Sequence, residues 1–214
     1  MRARGAMKMV KTFTQENIFK RILWLYGLRT LISIISLLAG YHLLPEGIFR
    51  GASPLATLVA RQSNFWLHFG ETIIINFCFI AFGVGMNLFL YKEGVPFGYG
   101  IPIATGIFGG LILGSNSFMD DLSRYSVLEG LVRGYSIGEI EVLAYVLIIA
   151  STSGISIYMD TTPWYSLKTK MVKVKNFRDI RLLRQEWIVL LMGIFLLIIA
   201  GYNETVMWFT EVIG

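Results

Sequence analysis

Five long apolar runs, at residues 22–44, 66–91, 95–118, 140–158 and 187–209, are separated by shorter polar stretches. Each comes near the roughly 20 predominantly apolar residues that a helix needs to cross the hydrocarbon core. A chain in lipid must satisfy its own N–H and C=O groups, and a helix does so within one segment. The pattern predicts an all-α fold: a polytopic integral membrane helical bundle of about five transmembrane helices, forming a single membrane domain over residues 1–214. The first run exceeds the roughly 7–15 residues of a signal-peptide core, and no small-x-small cleavage pattern follows it. It is expected to stay as the first helix.

The connecting stretches carry weaker patterns. Ser53-Pro54, followed by Leu55, Leu58 and Val59, reads as a capped short surface helix. Residues 120–137 place Leu122, Val127, Leu128, Leu131 and Val132 among charges. That spacing suits an amphipathic helix lying on the membrane or folding back over the bundle. Residues 164–186 are basic and amphipathic, with Trp164 and Tyr165 at headgroup level. They read as an interfacial anchor or as a docking surface for a partner.

Lys and Arg sit on alternate loops. Arg2, Arg4, Lys8, Lys11, Lys20 and Arg21 precede the first run. Lys168, Lys170, Lys173, Lys175, Arg178, Arg181 and Arg184 precede the last, and none follows it. The intervening loops hold only Arg50 and Arg61, Lys92, and Arg124 and Arg133. The positive-inside rule then places the N-terminus in the cytoplasm and the C-terminus outside, in the cell membrane.

Polar residues inside the runs form stripes at helical spacing. Arg29, Ser33, Ser36 and Gly40 share a face of the first run. His68, Thr72, Asn76, Gly83 and Asn87 share one in the second, with Glu71 at its edge. Gly98, Thr105, Gly109 and Asn116 line up in the third, where Pro102 is expected to kink the helix. Glu141, Ala144, Tyr145, Ser151 and Thr152 share a side of the fourth, with Glu139 pointing away toward the headgroups. The fifth run has no such stripe. Four helices around a polar axis, with a fifth at the periphery, are expected. Gly106, Gly110 and Gly114 repeat at four-residue intervals, which lets helix backbones approach. This spacing serves internal packing or a homo-oligomer.

Depth groups these residues. At about 1.5 Å per residue, Glu71 and Glu141 fall roughly 5–8 Å inside the outer edge. His42, His68, Ser115 and Asn116 fall near the same level. They are expected to form a cup of carboxylates, imidazoles and amide or hydroxyl groups. Such a cup suits hydrogen bonding, a cation or a proton relay. Arg29 falls deeper, away from both glutamates, and is expected to snorkel or to bind helix carbonyls. No metal-ligand spacing stands out, and no cofactor is implied. Ser115 near His68 is the one nucleophile–base pairing that can be drawn, and it rests on depth alone.

The 214 residues are 55% hydrophobic and 15% charged, with a formal net charge of +5. Because the basic residues flank apolar runs, anionic lipid headgroups rather than nucleic acid are their expected partner. Cys78 is the single cysteine and lies within the second run, so an intrachain disulfide is excluded.

From about residue 69 to 158 the chain resembles the stage II sporulation protein M family of small polytopic membrane proteins. Phe69 followed by Asn76, and then Gly83-Val84-Gly85, looks like the family's Phe-to-Asn helix. Glu93-Gly94-Val95-Pro96-Phe97-Gly98 is similar to its Asn-Gly turn. Gly138, Glu141 and Ala144 match its His-Gly-x-x-Glu-x-Pro-Ala signature, with Ile137 in place of His and Leu143 in place of Pro. The resemblance implies a multi-pass protein without enzymatic activity, working with an envelope protein partner. Two functions are expected from it and from the stripes. One is a scaffold or assembly partner in the cell envelope. The other is a transporter or channel component moving a cation, proton or small solute.

Overall fold

The computed structural model describes residues 17–51, 64–91, 94–117, 125–162 and 170–211. Ser53-Pro54, Leu122, Trp164, Tyr165 and Lys168, for which the sequence raises expectations, lie outside them. The described chain is mostly helical, and four helices are long and apolar enough to cross a membrane: Ile18–Leu43, Phe65–Met86, Phe97–Gly114 and Arg184–Thr210.

Helix α1 (Ile18–Leu43) starts where Asn17 Oδ1 accepts from the backbone N–H of Phe19 at 3.0 Å. Helix α2 (Phe65–Met86) starts likewise, with Asn64 Oδ1 accepting from Trp66 and Leu67. Each asparagine satisfies amides that the first turn leaves without intrahelical acceptors. Helix α3 (Gly100–Gly114) follows a single 3-10 turn at Phe97–Tyr99. Pro102 therefore stands in the first turn of α3, where its missing N–H costs nothing.

The fourth apolar run forms a helix of only 14 residues, α5 (Glu139–Thr152), about 21 Å long. It is preceded, after a break at Gly138, by α4 (Val127–Ile137). Three contacts align this broken pair with α1. Gly130 stands near Leu37, Glu139 bonds Arg29, and Ala150 O accepts from Arg21. The numbers rise on one chain as they fall on the other, so α4 and α5 together run antiparallel to α1. The stretch expected at the surface is thus, from Val127, a helix folded back over the bundle. The run expected to span at 140–158 forms a helix that ends at Thr152, and it is not among the four helices long enough to cross a membrane.

Helix α6 (Arg184–Glu211) is not peripheral. A Cβ on Gly193 would lie 2.7 Å from Ile148 on α5, and one on Gly201 would lie 2.8 Å from Ile73 on α2. Gly193, Leu197, Gly201 and Thr205 recur every four residues, a narrow face hidden among bulky neighbours. Helix α5 is the centre of the fold: Ala144–Thr152 is buried continuously.

At the Lys- and Arg-rich end the chain leaves helical structure. Strands β1 (Phe89–Leu90), β2 (Tyr158–Asp160) and β3 (Met171–Lys173) form one sheet in that order. β1 and β2 pair in parallel, Phe89 against Tyr158, and β2 and β3 pair antiparallel, Met159 against Val172. This corrects the purely helical expectation. Val172, Lys173, Val174 and Lys175 alternate apolar and charged residues at the period of a strand, not of an amphipathic helix.

Candidate functional site: the interhelical polar contacts

The glycine repeat packs α3 onto α1. A Cβ on Gly106 would lie 2.9 Å from Arg29 O. One on Gly110 would collide with Ser33 O, and one on Gly114 with Leu37 O. With Gly40 against Leu111 O, the two backbones are in direct contact.

The polar side chains lie in three layers. At the basic end Arg21 Nη2 meets Glu186 Oε1 at 2.5 Å, each side chain 6% exposed. Arg21 also donates to Ala150 O at 3.1 Å and to Ser153 Oγ. Asn87, fully buried at the C-cap of α2, donates to Ile149 O (2.9 Å) and Thr152 Oγ1 (2.8 Å). Ser156 Oγ donates to Asn87 O at 2.6 Å. One asparagine thus ties the end of α2 to the end of α5 and to the strand beyond it. Gly98 leaves it room, since a Cβ there would collide with Asn87 Oδ1.

The middle layer holds Arg29 and Glu139. Arg29 Nη1 lies 2.8 Å from Glu139 Oε2. This corrects two expectations: Arg29 engages a carboxylate rather than helix carbonyls, and Glu139 faces Arg29 across the helices rather than pointing away. The cause is the break at Gly138, after which α5 starts beside the middle of α1. Glu141 bonds Tyr145, which touches Asn76 halfway along α2, and so lies toward the middle of the bundle. Tyr145 OH bonds Glu141 Oε1 and lies 3.2 Å from Asn76 Oδ1 on α2. Glu204 stands on α6, the helix packed against α5, with its side chain exposed.

At the opposite end the expected cup is not assembled. His68 is buried, stacked on Trp208, with Nδ1 3.3 Å from Thr205 Oγ1. Thr205 donates its own proton to Gly201 O, so His68 Nδ1–H is the donor to Thr205. Asn116 instead donates to Glu46 Oε1 at 2.7 Å, and its carbonyl accepts from Arg50 at 3.0 Å. Ser115 bonds Ser117 at 2.7 Å, which removes the Ser115–His68 pairing. His42 is exposed beside Tyr41, and Glu71 lies half-buried on α2. Among the described residues no three or more His, Cys, Asp or Glu converge on a metal-sized site.

Glu186, Glu46 and Thr205 are the partners that sequence reasoning missed. Arg21 and Glu186 could have been matched, because both stand where apolar runs begin at the basic end. Thr205 gave no signal beyond its four-residue interval from Gly201.

The basic segment presents β3 at one edge of the sheet, with no further strand beside it among the described residues. Lys170, Lys173 and Lys175 stand on or beside it, and Arg178, Arg181 and Arg184 follow through a single 3-10 turn. Met171, Val172, Val174 and Phe177 are exposed among them. Lys175 Nζ donates to Gly154 O at 2.9 Å. Beside it a cleft of about 260 Å³ is lined by Arg21, Pro96, Ser153, Ser156 and Lys175. Compared with known protein families, with curated proteins and with solved structures, the chain finds a match in none of the three.

Proposed function

We propose that this chain is a non-enzymatic multi-pass protein of the cell membrane that acts as a scaffold or assembly partner in the cell envelope. In this reading it crosses the membrane five times, with α4 and α5 sharing the fourth crossing. Its N-terminus is cytoplasmic, its C-terminus is outside, and the sheet with its lysines faces the cytoplasm, as the positive-inside rule asks. One observation carries the reading. Inside the bundle Arg21 pairs with Glu186, Arg29 with Glu139, and Asn87 with α5, whereas the cations and apolar side chains of β3 are displayed on an edge of the sheet. An open strand edge offers backbone groups to a partner, and flanking lysines select an acidic one. The resemblance around Gly138, Glu141 and Ala144 supports the same reading.

The test is co-purification from membranes under mild conditions. Wild type and Glu141→Gln are expected to retain a stoichiometric partner that K170E/K173E/K175E loses. Retention of that partner by the triple variant would overturn the proposal.

A second reading, a transporter component for a cation, proton or small solute, is favoured by one feature of the break. Arg29 Nε, Thr30 Oγ1 and Glu139 Oε1 are buried there without hydrogen-bond partners. A discontinuous helix in mid-membrane is a setting in which transporters hold coupling ions. Flux through proteoliposomes that Glu139→Gln abolishes would establish it over the first.

A further inference from the structure

Tyr145 has one hydroxyl proton and two acceptors within reach. Its oxygen bonds Glu141 Oε1 on its own helix and lies 3.2 Å from Asn76 Oδ1 on α2. A phenol donates once, so one of these contacts must be donated by the other side. A carboxylate cannot donate, and neither can an amide oxygen. A protonated Glu141 can: it gives its O–H to Tyr145, and Tyr145 gives its own to Asn76.

Turning the Asn76 amide round is the competing assignment, because its nitrogen would then donate to Tyr145. That arrangement leaves Glu141 ionised in mid-bundle with one phenol as its donor. The charges around it oppose this. Arg29 of α1 is engaged by Glu139, the start of α5. Glu204 of α6 is a second acid, and from α2 the facing group is Asn76, with Glu71 further along. Among the described residues no cation faces Glu141. An ionised carboxyl without a cation is costly inside a membrane, and it is relieved by taking up a proton. Asn76, 8% exposed, is held against this carboxyl–phenol pair from α2.

We propose that Glu141 is a proton-binding site in which the neutral carboxylic acid donates to Tyr145 and thereby directs the Tyr145 hydroxyl to Asn76. The ligand is a proton, and its occupancy couples α5 to α2. When the proton leaves to water, the Tyr145 hydrogen turns back to the carboxylate and Asn76 Oδ1 loses its donor. The contact between the two helices is then broken at that point. The site stands whether the protein is a scaffold or a conduit.

Infrared spectroscopy of the full chain in lipid nanodiscs at neutral pH tests this through the carboxylic-acid C=O stretch, identified by its shift in D₂O. A protonated band is expected in wild type, lost in Glu141→Gln, shifted in Tyr145→Phe and retained in E204Q and E71Q. A spectrum without a protonated band, or a band that survives Glu141→Gln, would overturn the proposal. Should Glu141→Gln fail to fold, Tyr145→Phe decides: a shifted band supports the site and an unmoved band refutes it.

Discussion

Arg29 Nη1 meets Glu139 Oε2 at 2.8 Å where the helix pair α4–α5 is interrupted at Gly138. The two side chains are 9% and 15% exposed, so neither charge is solvated by bulk water. Removing one partner leaves the other buried and uncompensated, at a cost of about 3–5 kcal/mol. Replacing both with apolar residues removes that penalty. Arg29→Met is therefore expected to lower stability in detergent by about 3–5 kcal/mol, with most of the loss recovered in R29M/E139L. A denaturant titration of the three proteins measures it, and equal loss in single and double variants would contradict the pairing.

The contact between α1 and α3 makes a sharper structural prediction. A side chain at Gly110 would run into Ser33 O and the Ser36 Cβ, whereas a Cβ at Gly109 meets nothing within 4 Å. Backbone cannot retreat as a flexible side chain can. Gly110→Val is expected to cost about 1–3 kcal/mol or more, and Gly109→Ala to stay within about 0.5 kcal/mol. Thermal unfolding in detergent separates them; similar midpoints would exclude the close approach.

Asn87 offers a third test at the basic end. Its side-chain amide supplies two donors to buried acceptors on α5, Ile149 O and Thr152 Oγ1. Asn87→Ala removes both bonds and leaves buried acceptors behind, a loss of about 1–3 kcal/mol. Hydrogen exchange should show faster amides in β1 and β2, which Asn87 and Ser156 tie together. Unchanged exchange there would show that the sheet is held by other means.

Much of this architecture was legible in the chain. Apolar run length marks the helices, and the four-residue glycine interval marks the face on which α3 meets α1. The stripe through His68, Thr72 and Asn76 is the buried side of α2. What escaped has identifiable causes. Hydropathy alone ends the fourth span where charges begin, yet Glu129 sits in the first turn of α4, which the bundle accepts. Judging depth from the edge of that apolar run therefore misplaced both Glu139, which pairs with Arg29, and Glu141, which bonds Tyr145. Bulky Leu and Ile around Gly193 and Gly201 hid the packing face of α6. The strand period in residues 172–175 was masked by the basic charge of the segment. Pairings such as Asn116 with Glu46 depend on a left-handed backbone at Asn116 (φ 52°), which no periodicity reports.

Orientation is open to a direct check, because Cys78 is the single native thiol. In a Cys78→Ser background, Lys173→Cys on β3 is expected to react with an impermeant maleimide from the cytoplasmic side only. Thr210→Cys near the end of α6 is expected to react from the outside only. The reverse pattern would invert the topology, and labelling of both from one side would show that α6 does not cross the membrane.

The central claim is that the strand edge at the basic end is a contact surface, and cross-linking in living cells tests it most directly. A photoreactive amino acid is placed at Val172 on β3, or at Phe195 on the exposed side of α6 as control. One discrete protein adduct from position 172, absent from position 195, is the result the scaffold account predicts. No protein adduct at 172, or the same adducts from both positions, would contradict it.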